Sequence, residues 1–444
     1  MPPPLDRVQG DPSPPPAATR VVVIGGGIIG VCTAFFLARK GVPVVLCEKG
    51  EIAGEQSSRN WGWCRKMGRD PRELPLAIEA LRLWPEMNSL IGAETGFRRS
   101  GIAYLCRTGD EIRKRESWLE LVGKPLQVDT RLLTRDETSR VLPGLSGAWL
   151  GALWTASDGR AEPALAAPAI ARAARGLGAA VLTNCAVRGI ETQGGAIAGV
   201  VTERGRIACD QVVLAGGVWS RLFCRPMKLR LPQLKMLSSV MRTEPLDGGP
   251  EASAGGFGFG MRKHLDGSYS VASWSSNVVD IVPDTVRFMR DFLPARRMRG
   301  KELKLRLGRR FLTELAQPRR WALDGASPFE AVRMLDPPPH RPILDQARKA
   351  VSQAFPVFNA MKMARSWGGM IDLTPDAVPI ISDVDGFPGF FIATGFSGHG
   401  FGIGPAAGRL MAELVTGETP VVDPSPFRYS RFADGSKPAP SPLA

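Results

Sequence analysis

The sequence predicts an α/β fold: a unit built on a parallel sheet, with a second, mixed-sheet (α+β) unit interleaved in it. Three observations predict it. A strand–helix–strand pattern fills residues 20–48, a second set of α/β signals fills 163–217, and a late strand, glycine-rich turn and helix fill 390–415. Between them lie antiparallel hairpin signals. At 444 residues the chain is long enough for two domains. Hydrophobic residues at 44% and charged residues at 23% fit a globular protein and exclude a wholly disordered or fibrous one. No run approaches the roughly 18 uninterrupted apolar residues of a membrane span. The first sixteen residues have no apolar signal core, so Sec export is not expected.

Each element has its own signal. Seven of the 38 prolines fall in residues 1–16, which predicts a disordered tail over 1–19. Val21–Ile24 is all apolar, as a strand covered on both faces should be. Gly25–Gly30 turns into a helix over Val31–Arg39, Gly41 stops it, and Val42–Cys47 is the next strand. Pro163 opens an Ala-rich helix ended by Gly176, with Pro168 an awkward interior residue. Val181–Ile190, Ala196–Glu203 and Arg206–Asp210 read as a meander, and Gln211–Ala215 as another buried strand. Phe257–His264 and Ser268–Trp274 flank Asp266-Gly267, a hairpin signal. Phe390–Ala393 is a strand and Pro405–Val415 a helix, and the chain from Pro420 looks loosely ordered.

The turn Gly25-x-Gly27-x-x-Gly30 follows a buried strand, opens a helix, and has Glu48 eighteen residues beyond it. In that context it is a dinucleotide-binding fingerprint. Gly25 allows the tight turn, Gly27 lets the backbone approach a pyrophosphate, and Gly30 lets helix and strand pack closely. The helix N-terminus offers free N–H groups to phosphate. Glu48 would accept hydrogen bonds from ribose hydroxyls, and a Glu there argues against a 2′-phosphate. This unit alone does not separate NAD from FAD.

Further motifs occur along the chain: Gly54-Glu55-Gln56-Ser57-Ser58-Arg59-Asn60-Trp61-Gly62, Asp158-Gly159-Arg160-Ala161-Glu162-Pro163, and Ala215-Gly216-Gly217-Val218-Trp219-Ser220. Near the end stand Trp367-Gly368-Gly369-Met370-Ile371-Asp372-Leu373-Thr374-Pro375-Asp376 and Gly395-Phe396-Ser397-Gly398-His399-Gly400-Phe401. In this order, over residues 20–430, the chain resembles the D-amino acid oxidase/sarcosine oxidase superfamily of FAD-dependent oxidoreductases. Its members include D-amino acid dehydrogenase, sarcosine oxidase β-type and opine/hydroxyproline dehydrogenase-like proteins.

The resemblance implies FAD, a Rossmann-like FAD-binding domain, and a substrate domain over the flavin. It implies oxidation of the C–N bond of a D-amino acid, N-alkyl amino acid, imino acid or opine by hydride transfer to flavin, with the imine then hydrolysed. It places Gly25, Gly27, Ile28, Gly30, Glu48, Lys49, Ser57, Ser58, Asn60, Trp61, Val187, Gly216, Trp219, Gly369, Gly398 and Gly400 at the cofactor. His399 and Arg65 would stand near substrate or flavin. Two departures matter. Glu162 replaces the second Asp of the family's D-G-x-x-D-P, and Ile371 stands where D-amino acid dehydrogenases carry a carboxylate-clamping Arg. An aliphatic side chain cannot supply that fork of donors. Arg65 and Lys66 are the substitute candidates, with Lys263 and His264 behind them, and a preference for secondary amines follows. An oxygen-using amine oxidase and a non-catalytic flavoprotein subunit of a larger complex stay open as alternatives.

The expected FAD domain is discontinuous, over 20–85, 150–225 and 362–416, with 86–149 and 226–361 forming the substrate domain and 417–444 a tail. Net charge is +14, much of it local: residues 287–310 hold ten Lys/Arg against Asp291 and Glu302. Leu303, Leu307, Phe311 and Leu315 recur at four-residue spacing, which predicts a solvated helix with a buried stripe. Contact with a membrane surface or acidic carrier is the alternative reading. No nucleic-acid module is recognisable. Seven cysteines without a C-x-x-C pair fit a reducing compartment, and three scattered histidines suggest no metal site. A cytoplasmic enzyme, peripheral at most on the inner face of a membrane, is expected, with oxygen, quinone or a carrier protein as electron acceptor.

Overall fold

The computed structural model describes residues 2–443 apart from Ser13, Lys301 and Glu302, and the Arg299 side chain also lies outside the described parts. Strand β1 (Val21–Ile24) is wholly buried and runs parallel to β2 (Val44–Cys47) on one side and to Gln211–Leu214 on the other. Ala180–Leu182 and Phe390–Thr394 extend this sheet in parallel, and Ile380–Asp383 closes it as an antiparallel edge. The period of two explains the all-apolar strands: Val21 and Val23 enter one core, Val22 and Ile24 another.

The first of those cores is helical. Helix α1 (Ile28–Arg39) starts earlier than the sequence predicts, directly at Gly27, and packs against Pro163–Gly176 and Gly400–Thr416. A Cβ on Gly404 would lie 2.6 Å from Ile28 Cγ1, and one on Gly408 would lie 2.3 Å from Cys32 Cβ. Only glycine allows these two helices to come so close. The second core covers the other face with Phe329, Ile343 and the meander strands Val187–Gln193, Ala196–Thr202 and Gly205–Ala208.

A ten-stranded mixed sheet lies beside this unit. Its central strand Leu234–Thr243 pairs antiparallel with Met363–Leu373 along its length, and with Tyr269–Ala272 and Asn277–Asp280 on the other side. The hairpin at Asp266-Gly267 forms, with Gly267 at φ +82°. Gly151–Thr155 and Met363–Leu373, which fall inside the expected FAD segments, pair in this larger sheet instead.

Four expectations are corrected. The described residues of 2–19 are not a disordered tail. Asp6 N–H donates to Ala164 O, Asp11 exchanges hydrogen bonds with Val181, and Arg172 and Arg175 bind Asp6 and Asp11. The prolines between need no partner for an N–H they lack. The C-terminal stretch is held too: Arg431 is buried against Asp376 and Phe427 is buried. The predicted strand Val181–Ile190 divides at residue 183 between two sheets. The basic stretch is not one helix with a buried stripe. It is helix Met289–Arg299, strand Leu303–Arg306 and helix Arg309–Leu315, and Leu307 and Leu315 are 71% and 56% exposed. Lys301 and Glu302 of that stretch lie outside the described residues.

All seven cysteines are free and buried. No helix among the described residues is long and apolar enough to cross a membrane.

Candidate active site

A cavity of ≈ 910 Å³ runs from the β1–α1 turn to the face of the large sheet. Two helix N-termini open onto it. Gly27 precedes α1 in an extended conformation without a side-chain cap, and neither helix has an acidic residue in its first turn. Gly398, His399 and Gly400 bring the second N-terminus to the wall. Unmatched N–H groups and the helix dipole make both ends receptive to negative charge.

The glycine turn behaves as the fingerprint requires. Gly25 has φ +112°, and its Cβ would lie 2.4 Å from Ala215 O. A Cβ on Gly30 would lie 1.9 Å from Gly25 O, so Gly30 serves packing and does not line the cavity. Gly27 is different: its Cβ would meet only Ser57 Oγ, at 3.1 Å, and it faces the cavity. Ser57 Oγ accepts from Ile28 N–H at 2.8 Å. Glu48 accepts from Gly26 N–H and Gly50 N–H, each at 2.7 Å, and burial pushes its carboxyl above the usual range.

Lys49 Nζ sits 4.2 Å over the Trp219 ring and binds Glu55, which also accepts from Trp219 Nε1. Asn60, Trp61, Val187, Gly216 and Gly369 line the same cavity. Ser58 does not, and its Oγ bonds Glu55 O. In the same wall, the buried Asp372 carboxylate accepts from Gly395 N–H at 2.7 Å and ties the second glycine turn to the large sheet.

The substrate-side candidates separate. Arg65 lines the cavity with its guanidinium 5.5 Å from the Tyr104 ring. Lys66 instead pairs with Asp129, and Lys263 with Glu251. His264 is buried between Glu162 and Ser270, and burial and Arg262 push it down to about 4. Ile371 does reach the wall, against Gly398.

Beyond Trp61, several residues carried no sequence signal. Trp61, Trp63, Tyr104 and Trp274 form an aromatic box, with Tyr104 and Trp274 ring centres 4.7 Å apart and Trp61 and Trp63 5.3 Å apart. Arg115 stacks 4.9 Å from Tyr104. Buried nitrogens of four cavity residues, Arg59 Nε, Trp63 Nε1, Arg69 Nη1 and Arg115 Nε, have no hydrogen-bond partner among the described residues. A buried unpaired donor costs about 1–3 kcal/mol. Arg69 Nη1 lies 3.7 Å from the Glu73 carboxylate; the other three belong to residues that line one space and, together with the glycine turn, they fit an anionic cofactor such as FAD and a carboxylate substrate.

Comparison with known proteins agrees. The family model described as FAD dependent oxidoreductase (DAO) matches residues 20–414. The structure of L-amino acid deaminase from Proteus myxofaciens superposes with a TM-score of 0.93 at 35% identity, covering 96% of each chain. The L-amino acid deaminase from Proteus vulgaris gives a TM-score of 0.91 at 32% identity, covering 96% of this chain and 100% of that one. A glycine oxidase of Pseudomonas aeruginosa is 26% identical over 422 residues, which is 92% of this chain and 98% of that one. The separated motifs thus converge on one cavity for a reason: the chain belongs to the DAO family of FAD dependent oxidoreductases, enzymes acting on the C–N bonds of amino acids and amines.

Proposed function

We propose that the chain deaminates L-amino acids with bulky apolar or aromatic side chains. The aromatic box flanked by Arg65 and Arg115 carries this reading. Four rings supply apolar area, and two guanidiniums supply a fork for a carboxylate. The Proteus myxofaciens deaminase, solved with anthranilate, itself an aromatic carboxylate, supports the same class. FAD supplies the two-electron acceptor. The chain's residues anchor the carboxylate, enclose the side chain and keep the reacting carbon dry. With two arginines at the wall, a primary amino acid keeps its anchor despite Ile371. A secondary amine, the class favoured by Ile371 alone, is the competitor.

Anaerobic flavin reduction decides between them. L-phenylalanine and L-leucine should reduce the flavin fastest, ahead of their D- and N-methyl counterparts. A D- or N-methyl substrate winning by about tenfold, some 1.4 kcal/mol, would overturn the reading. Arg115→Ala should raise KM about ten- to a hundredfold, the loss of one charge-assisted contact.

We infer that electrons leave at an anionic membrane surface. Helix Met289–Arg299 and strand Leu303–Arg306 wall the cavity mouth, and they expose Met289, Met298 and Leu305 beside Arg290, Arg296 and Arg297. Apolar and basic groups together suit a lipid headgroup layer. Each basic residue near such a surface is worth about 1 kcal/mol, so Arg296→Glu with Arg297→Glu should weaken vesicle binding more than about tenfold. Activity with a membrane acceptor should fall while activity with a soluble dye holds. Equal activity with both acceptors would return the stretch to a solvated surface.

A further inference from the structure

We propose that Glu73 is a positioning residue for His399: it holds the ring as the Nδ1–H tautomer, so that Nε2 presents a lone pair to the cavity and accepts a hydrogen bond from the substrate amine. This rests on the amino-acid reading above.

Glu73 flanks the start of helix Leu74–Ile91, and its side chain is fully buried. Its Oε2 lies 3.0 Å from His399 Nδ1. Its Oε1 has no hydrogen-bond partner among the described residues and lies 3.7 Å from Arg69 Nη1, likewise unpartnered. A carboxylate in this position cannot donate, so the ring nitrogen facing it must carry the proton.

The charge states agree. Burial alone would raise Glu73, but the hydrogen bond to His399 and the Arg69 and Arg65 charges outweigh it and hold the carboxyl below its usual range. Burial and Arg69 push His399 down to about 4, which leaves the ring neutral at physiological pH. Glu73, Arg69 and Arg65 are the charged groups facing the ring. The turn Gly395–Gly402 holds no other ionisable side chain, and the nearby Asp372 is engaged by Gly395 N–H, Gln233 and Thr394.

The ring is also held in place. His399 N–H donates to Phe396 O at 2.8 Å, and the residue stands directly before helix Gly400–Thr416. The positive end of that helix further disfavours an imidazolium. Its side chain is 23% exposed, and His399 lines the cavity, while Nε2 makes no hydrogen bond among the described residues. Around His399 the wall presents the Arg65 and Arg69 guanidiniums and helix N–H groups, while the acceptors Glu48 and Asp372 are taken up by backbone N–H groups. An acceptor is what an amine requires, and a fixed tautomer provides one without a charge.

Imidazole ¹⁵N NMR on the flavin-loaded wild type reads the tautomer directly, because the chain has only three histidines, and His399→Asn assigns the signal. His399 should show a protonated Nδ1 and an unprotonated Nε2 at neutral pH. The opposite tautomer overturns the proposal. Binding supplies the second arm, with an amino acid compared against its analogue lacking the amino group. His399→Asn and Glu73→Gln should each weaken the amino acid about tenfold and leave the analogue unchanged. The double variant should be no worse than His399→Asn. Equal weakening of both ligands, or full additivity, assigns Glu73 a merely structural role. If Glu73→Gln fails to hold flavin, the wild-type tautomer and His399→Asn decide. If no amino acid reduces the flavin, the amino-acid reading fails, and the tautomer alone decides the role of Glu73.

Discussion

Gly27→Val yields a folded, colourless protein. A side chain at this position meets Ser57 Oγ and then open cavity, so the backbone around it need not move. It fills the space where the α1 N-terminus meets a pyrophosphate. Overpacking a tight site costs about 1–3 kcal/mol, or roughly 5- to 150-fold in affinity. Gly30→Val is the contrast, because its Cβ would overlap the Gly25 carbonyl at 1.9 Å and disrupt the unit itself. The measurements are the flavin-to-protein absorbance ratio and the far-UV circular dichroism of both variants. Full flavin content in Gly27→Val would refute the phosphate assignment.

Glu162→Gln destabilises the protein by about 3–5 kcal/mol, the cost of leaving a buried charge without its partner. Glu162 binds Arg262 with both oxygens, at 2.7 and 3.1 Å, and lies 2.7 Å from His264 Nδ1. Arg262 is 1% exposed. Burial raises the carboxyl, but Arg262 and His264 outweigh it and hold it well below the usual range. A depressed folded-state pKa contributes stability above the unfolded value, near 4.3, and loses it as pH falls further. The gap between wild type and Glu162→Gln is therefore full above about pH 5 and shrinks under about pH 4. Urea unfolding across that range tests the sign, and a gap that widens in acid would contradict it. Glu162→Asp keeps the charge but shortens the arm, and should fall between the two.

That residue shows what was legible and what was not. The sequence displayed Glu162 as a departure from D-G-x-x-D-P, but its partners lie a hundred residues away. The β1–α1–β2 unit was legible because its signals are local: a four-residue apolar run, three glycines and an acid. The aromatic box was not, because Tyr104 and Trp274 come from segments far from Trp61 and each alone reads as core, while Trp61 was legible only as part of the flavin loop. Glu73 looks like an ordinary acid flanking a helix start until the fold brings His399 to it across 326 residues. The N-terminal segment misled by composition. Its prolines suggested disorder, while Asp6 and Asp11 are what dock it.

The glycine contacts between α1 and Gly400–Thr416 bear on synthesis as well as on binding. The ribosome releases β1, α1 and β2 long before Gly400–Thr416, with Ile28 and Cys32 facing a helix that does not yet exist. Close approach at Gly404 and Gly408 supplies that helix only after nearly the whole chain has emerged. The nascent nucleotide cradle therefore spends most of translation one wall short. Its closure is a contact of very high sequence separation, the kind that slows folding. Chains truncated before residue 400 should consequently leave the ribosome as apoprotein with an apolar seam exposed, a target for chaperones before it is a site for flavin.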